Sequence, residues 1–312
     1  MRGGGETGDL VLYGLCALAG LVVLATLVEV VYQLIGNSNL AIGHFGLGFL
    51  GHQEWNPHFG RLGAATLIYG TVVSSLMALV IAGPLGLSIA IYLAMLASPR
   101  VRSVVGPLVE MLAAVPSIIY GLWGLVVLVP FIHSIEPGLH NVLGWIPLFG
   151  PPQTTGFSIF TGGLVLTFMI LPIISALSRD LFLTVPRELR EGAMALGATQ
   201  WEVIRGVVLP STISGVSAAM VLALGRALGE AIALSFIVGD VSQINVSLFA
   251  PGATLAERMA NEFLGTSSNL ELAALWYCGL ILLVIGLITS LLARLIARRF
   301  DVERAYARAV AV

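Results

Sequence analysis

Arg226 and Glu230 lie four residues apart in Gly215–Leu234, a stretch otherwise built from apolar and small residues. On a helix that spacing puts both side chains on one face, close enough to pair. The arginine fork presents several donors at once and suits the grip of a tetrahedral oxyanion. An ionised side chain inside a bilayer is costly and marks a functional position by default. Gly225 and Gly229 leave room beside the pair for a ligand or another helix. The simpler alternative is that the two charges only join helices or subunits. A mixed role has Glu230 restraining Arg226 until substrate or a subunit movement frees it.

A second group of marked residues fills a polar island between apolar segments, residues 183–210. Pro186 suits the first turn of a helix. Leu189, Ala193 and Leu196 recur on one face of that helix, and Gly197 suits a left-handed cap at its end. Thr199 and Glu202 form a capping-box pattern that opens a second short helix, with Trp201, Ile204 and Val208 along one side. Pro210 closes the loop before the next apolar segment. Two short helices at an angle, with a small-residue crest (Gly192, Ala193, Gly197) beside Glu191, suit docking in the groove of a soluble partner.

The elements that carry these residues follow from composition. The 312 residues are 57% hydrophobic and 10% charged, against about 25% charged in soluble domains. So charge-poor a chain must face lipid over most of its surface. Six apolar segments are long enough to span it: Leu10–Ile35, Ala65–Ala97, Val104–Pro130, Ile159–Arg179, Thr212–Val238 and Leu270–Leu295. Gly83-Pro84 predicts a kink, break or tilt in the second. The organisation expected is an N-terminal span with its outer loop (1–64), a core of five spans with the polar loop (65–296), and a basic amphipathic tail on anionic lipid (297–312). The first apolar run reads as a retained anchor rather than a cleaved signal.

All basic side chains besides histidine are arginine. With the N-terminus in the cytoplasm, Arg2, Arg100, Arg102, Arg179, Arg187, Arg190, Arg205, Arg294, Arg298, Arg299, Arg304 and Arg308 fall inside, and only Arg61 and Arg258 fall outside. That asymmetry obeys the positive-inside tendency and puts both termini in the cytoplasm. The histidines fall in outer loops without metal-ligand spacing, and Cys16 and Cys278 read as small buried hydrophobes, so no metal or disulfide is expected. Outer-loop aromatics such as Trp55 and Trp145 read as interface anchors. Glu110 is expected to cap its helix or to pair with Arg100 or Arg102. Ser117 and Tyr120 are expected to bond locally to backbone, while Thr71, Ser74 and Ser75 fit packing or a transport path equally well. The chain has no G-x4-G-K-[ST] phosphate loop and no lysine to make one, which excludes ATP hydrolysis by this subunit.

The residues from Glu191 to Pro210 resemble the cytoplasmic coupling loop of ABC-importer permeases, E-A-A-x3-G-x9-I-x-L-P. Glu191, Ala193, Gly197, Leu209 and Pro210 match, while Gly192 and Val207 depart mildly. Leu224-Gly225-Arg226-Ala227-Leu228-Gly229-Glu230, Ile68–Thr71, Val115–Gly124 and Leu196–Ile204 together resemble the phosphate ABC-transporter permeases of the PstC type. The similarity runs from about Phe45 to Arg299. It implies an all-α integral membrane protein with the type I importer fold, six spans and a coupling-helix loop. It also implies a PstA-like sister permease, two copies of a cytoplasmic ATPase that binds ATP and Mg, and an extracytoplasmic phosphate-binding protein. This subunit itself would hold no cofactor, perform no catalysis and touch no nucleic acid. Arg226 and Glu230 would belong to the phosphate path, and Glu191, Gly192, Ala193, Gly197, Thr199, Glu202, Leu209 and Pro210 would receive force from the ATPase. Asp240 stands where the family pattern leads one to expect a neutral residue. The alternatives are the same architecture for sulfate, molybdate or phosphonate, or a secondary transporter working alone.

Overall fold

A computed structural model describes residues 3–153 and 155–299. Among these, every regular element is helical, and two isolated bridges (Asn56 with Arg61, Gly239 with Gly252) are the only strand-like pairings. Six helices are long and apolar enough to cross a bilayer: Gly8–Phe45, Ala65–Leu96, Ser117–Leu143, Ile159–Thr184, Gln200–Leu228 and Asn269–Leu295. The predicted tail lies, from residue 300 on, outside the described residues.

The fourth span is the core of the bundle. Its most apolar window is 67% buried, whereas that of the first span is wholly exposed. Val165, Leu166, Ile170 and Ile174 of the fourth span are buried against Ala78 and Ala82 of the second and Ala223 and Ala227 of the fifth. Small residues on the second and fifth spans let three backbones approach, as lipid-embedded packing requires. Thr71, Ser74 and Ser75 belong to this packing. They are buried, and each hydroxyl donates to a carbonyl one turn back, at 2.7, 2.7 and 2.6 Å. The first helix, 43 residues, packs only its last third on the sixth span, through Leu34 and Ala41 against Ala274, Cys278 and Ile281. Cys278 is buried as expected, but Cys16 is exposed on the free part of that helix.

Proline chemistry moves the start of the third span away from the hydropathy reading. The expected third span, Val104–Pro130, is two elements. Pro116 has no amide hydrogen to continue a helix, and Val115 before it is driven from helical backbone. The chain therefore breaks after an amphipathic helix, Pro99–Ala113, and the span begins at Ser117. Tyr120 bonds back across this break, its hydroxyl donating to the Leu112 carbonyl at 2.9 Å. Pro84 does not interrupt the second span, which stays helical through Ala65–Ile91. A wide π-helical turn, Gly124–Leu128, precedes Pro130, and another, Ile204–Val208, precedes Pro210. In the second of these the Leu209 amide reaches back to the Ile204 carbonyl, so the missing proline donor falls where the hydrogen-bond register is already loosened.

The Pro99–Ala113 helix folds back along the end of the second span. Ser98 caps its start, and Arg102 donates to the Leu93 and Ala94 carbonyls at 2.7 and 2.8 Å, capping the second span as well. Glu110 pairs with Arg179 of the fourth span at 2.7 Å, not with Arg100 or Arg102. Those arginines lie more than one turn away along the same helix, and Arg102 is already engaged. In the fifth span the second short helix expected after Gly197 is not separate: it runs through the π turn and Pro210 to Leu228 as one element.

Candidate functional site

Arg226 stands in the last turn of the fifth span, exposed, on a groove of about 820 Å³. The groove is shared by Glu110 of the Pro99–Ala113 helix, Pro172 and Ile173 of the fourth span, Leu222 of its own helix and Ser290 of the sixth span. Its walls are mostly apolar, with Arg226 and Glu110 as the charged groups. Glu230 does not share a helix face with Arg226. The span ends at Leu228 with Gly229 as its cap, and the buried Glu230 carboxylate accepts from the Ala233 amide at 3.1 Å. Glu230 thus satisfies an orphan donor at the start of a short helix, Ile232–Ser235, instead of extending the span to Val238. Among the described residues the two side chains form no ion pair, which corrects the spacing argument.

The 183–210 segment is built largely as its residues dictate. Pro186 precedes a helix over Arg187–Ala195, and Gly197 follows it with φ of +93°, a left-handed cap that a side chain would strain. The Ala198 amide closes the cap on the Ala193 carbonyl at 3.1 Å. The Thr199–Glu202 capping box is formed: Glu202 accepts from the Thr199 amide at 2.7 Å and the Glu202 amide donates to the Thr199 hydroxyl at 3.3 Å. Ala193 packs on a cluster with Ala90, Phe182 and Val203, so it is not a free crest. A side chain added at Gly192 or Gly197 would meet open space. Glu191 is exposed beside a pocket with Arg187 and Arg190, and Arg190 donates to the Met95 sulfur at 3.4 Å. Leu189, Leu196 and Trp201 are 54, 92 and 61% exposed, apolar side chains left uncovered among the described residues. Leu209 and Pro210 are half-buried at the root of the fifth span and are not among them.

These elements match known proteins. Residues 84–302 match the family described as "Binding-protein-dependent transport system inner membrane component". The chain belongs to that family. It is 42% identical over 299 residues to the phosphate transport system permease protein PstC of Mesorhizobium japonicum, covering 94% of this chain and 91% of the relative. The namesake from Pasteurella multocida is 43% identical, covering 88% and 87%. Among solved structures, the permease superposes on a chain of a bacterial alginate ABC transporter bound to its periplasmic protein, with TM-score 0.60, 18% identity and coverage of 95% and 96%. It superposes on the inward-facing MetNI methionine ABC transporter with TM-score 0.51, 19% identity and coverage of 76% and 94%. The permease therefore has the type I ABC importer fold, an all-α membrane architecture of six spans.

One polar cluster escaped the sequence reading. At the end of the permease opposite the 183–210 segment, Arg258 is 5% exposed and pairs with Asp240 at 2.5 Å and Glu262 at 2.6 Å. It also donates to the Ser242 hydroxyl at 3.2 Å and lies over the Trp55 ring at 5.7 Å. Trp55 donates its indole N–H to Glu262 at 2.6 Å. Beside it Glu257 closes a capping box with Thr254 and accepts from Asn261 at 3.1 Å. Burial pushes the Glu257 carboxyl up to about 7, and burial also raises Asp240 above its ordinary value against the pull of Arg258. The signal available in the sequence was the Thr254-x-x-Glu257 box. The partners of Arg258 are scattered over three segments, and nothing in their spacing joins them.

Proposed function

We propose that this chain is the permease subunit of an ATP-driven phosphate importer. The observation that carries the reading is identity above 40% along nearly the whole chain with proteins named as phosphate transport permeases. The placement of Arg226 supports it. A cation on a mostly apolar groove at the membrane level of three packed spans offers a tetrahedral oxyanion charge-assisted hydrogen bonds where little else competes.

The chain pairs with a PstA-like sister permease, and the groove at Arg226 is completed across that interface. An extracytoplasmic binding protein delivers phosphate to the outer mouth. Two copies of a cytoplasmic ATPase bind ATP and Mg and grip the exposed edge of Leu189, Leu196 and Trp201, with Glu191 and Gly197 beside it. The Arg187–Ala195 helix is the coupling helix. Because Glu202, Leu209 and Pro210 lie on one continuous helix with Arg226, and Thr199 caps its start, a push on the coupling helix reaches the anion site along a single element. Glu230, just past the far end of that helix, shapes the path beyond Arg226. Both termini lie in the cytoplasm of a cell-membrane protein.

The test is uptake of radiolabelled phosphate by proteoliposomes holding the complete transporter. Phosphate, but not excess sulfate, molybdate or phosphonate, should compete. Competition by sulfate alone would reassign the substrate, and uptake without the ATPase would reject the class.

A further inference from the structure

Glu230 reaches its place through a long excursion. After the fifth span the chain forms Ile232–Ser235, turns at Gly239 and Asp240 with φ of +95° and +53°, and returns to the helix Leu255–Glu262. That returning helix is pinned to the second span. Its Leu255 amide donates to the Thr71 hydroxyl at 2.9 Å, and a side chain on Gly70 would sit 2.1 Å from the Ala253 carbonyl oxygen, so only glycine permits the approach. Asp240 occupies left-handed backbone that non-glycine residues rarely adopt, and such strain persists where surrounding contacts hold it. Backbone bonds flank it, from the Val241 amide to the Gly252 carbonyl at 3.1 Å and from the Gly252 amide to the Val238 carbonyl at 3.0 Å, and the side-chain contact that holds it is Arg258. This arginine reaches from the pinned helix to Asp240 and Ser242 on the excursion, and its second branch meets Glu262, which Trp55 also holds. On the other side the short helix after Glu230 lies against the third span, where a side chain on Gly121 would meet the Ala233 Cα at 2.9 Å.

We propose that the Asp240–Arg258–Glu262 cluster is a positioning group. It anchors the excursion to the second span and thereby fixes the Glu230 carboxylate against the third. This rests on the reading that Glu230 belongs to the phosphate path. Asp240 is then held by Arg258, whose one positive charge it shares with Glu262. Neutralising Asp240 leaves Arg258 paired with Glu262, so the change bears on the contact between the arginine and the excursion and not on the arginine's own compensation.

Asp240→Asn in the assembled transporter tests this by amide hydrogen exchange. Residues 229–242 should exchange at least about tenfold faster, the Ala233 amide bonded to Glu230 included, while the core of the fourth span keeps its protection. Maximal phosphate uptake should fall with little change in the half-saturating concentration of loaded binding protein. Faster exchange across all spans, or none in 229–242, overturns the proposal. Should Asp240→Asn fail to assemble, Arg258→Lys keeps the charge but loses the double fork, and the same exchange pattern is expected from it. Absence of phosphate uptake by the unaltered transporter would reject the function proposed above and leave the exchange test standing.

Discussion

Arg226 and Glu257 are the two side chains whose charge state matters most, and they are tested differently. Arg226 is exposed on a groove and has no acidic partner among the described residues, so its removal should leave the fold intact. Arg226→Ala is expected to cut phosphate uptake by about ten- to a hundredfold, the scale of one or two lost charge-assisted hydrogen bonds. Co-purification of the sister permease and ATPase checks that assembly survives; loss of assembly would return Arg226 to the role of holding subunits together. Glu257 is structural. Its carboxyl shifts from an ordinary 4.5 to about 7. Between those values the folded chain holds a proton that the unfolded chain lacks, so stability falls as pH rises through that window and levels off above it. Glu257→Gln removes the penalty, for an amide never ionises. The variant should match the parent below pH 4.5 and exceed it by up to about 3 kcal/mol above pH 7, read from thermal unfolding in detergent across pH. A parallel pH dependence in both proteins would contradict this.

The elements divide into those that local chemistry specifies and those that proline and tertiary packing rearrange. The helix Arg187–Ala195, its glycine cap and the Thr199–Glu202 box were legible because each is set by residues a few positions apart. The existence of six spans was legible because length and apolarity are summed over twenty residues. What hydropathy could not resolve was where a long apolar run is cut. Val104–Pro130 reads as one span, yet Pro116 divides it, and apolar residues continue past the expected end because they face lipid either way. The end of the fifth span was missed for another reason: Glu230 serves as a cap for the Ala233 amide, a choice that depends on the third span being alongside. The exposed edge gives a contrast at this scale. Gly197→Val forces a β-branched residue into left-handed backbone, at about 1–2 kcal/mol or more, and should distort the Arg187–Ala195 helix and, on the proposed function, release the ATPase. Leu196→Asp leaves the backbone untouched, since the side chain is 92% exposed, and should also release the ATPase. Retention of the ATPase by Leu196→Asp would show that the edge is not the docking surface.

Across the whole molecule charge is sorted by end. Among the described arginines, Arg100, Arg102, Arg179, Arg187, Arg190, Arg205 and Arg294 gather at the end that holds the Arg187–Ala195 helix, while Arg61 and Arg258 stand at the other. The two outlying arginines are engaged: Arg258 is buried in its acidic cluster, and Arg61 pairs with Glu54 at 3.5 Å. That sorting is what the positive-inside tendency would produce with the first end in the cytoplasm. Two exposed residues mark the ends for labelling, Leu196 at 92% and Trp145, between the third and fourth spans, at 80%. Cys278 is buried, so Cys16→Ala gives a background with no accessible thiol. In that background, a membrane-impermeant maleimide added to intact cells stripped of any outer membrane should label Trp145→Cys at once. Leu196→Cys should label only after the membrane is opened. On the proposed function, bound ATPase should then protect Leu196→Cys and leave Trp145→Cys unchanged, because the two positions lie at opposite ends of the same bundle. The reverse labelling order would put the 183–210 helix on the wrong side of the membrane for any cytoplasmic ATPase, and coupling through it would have to be abandoned.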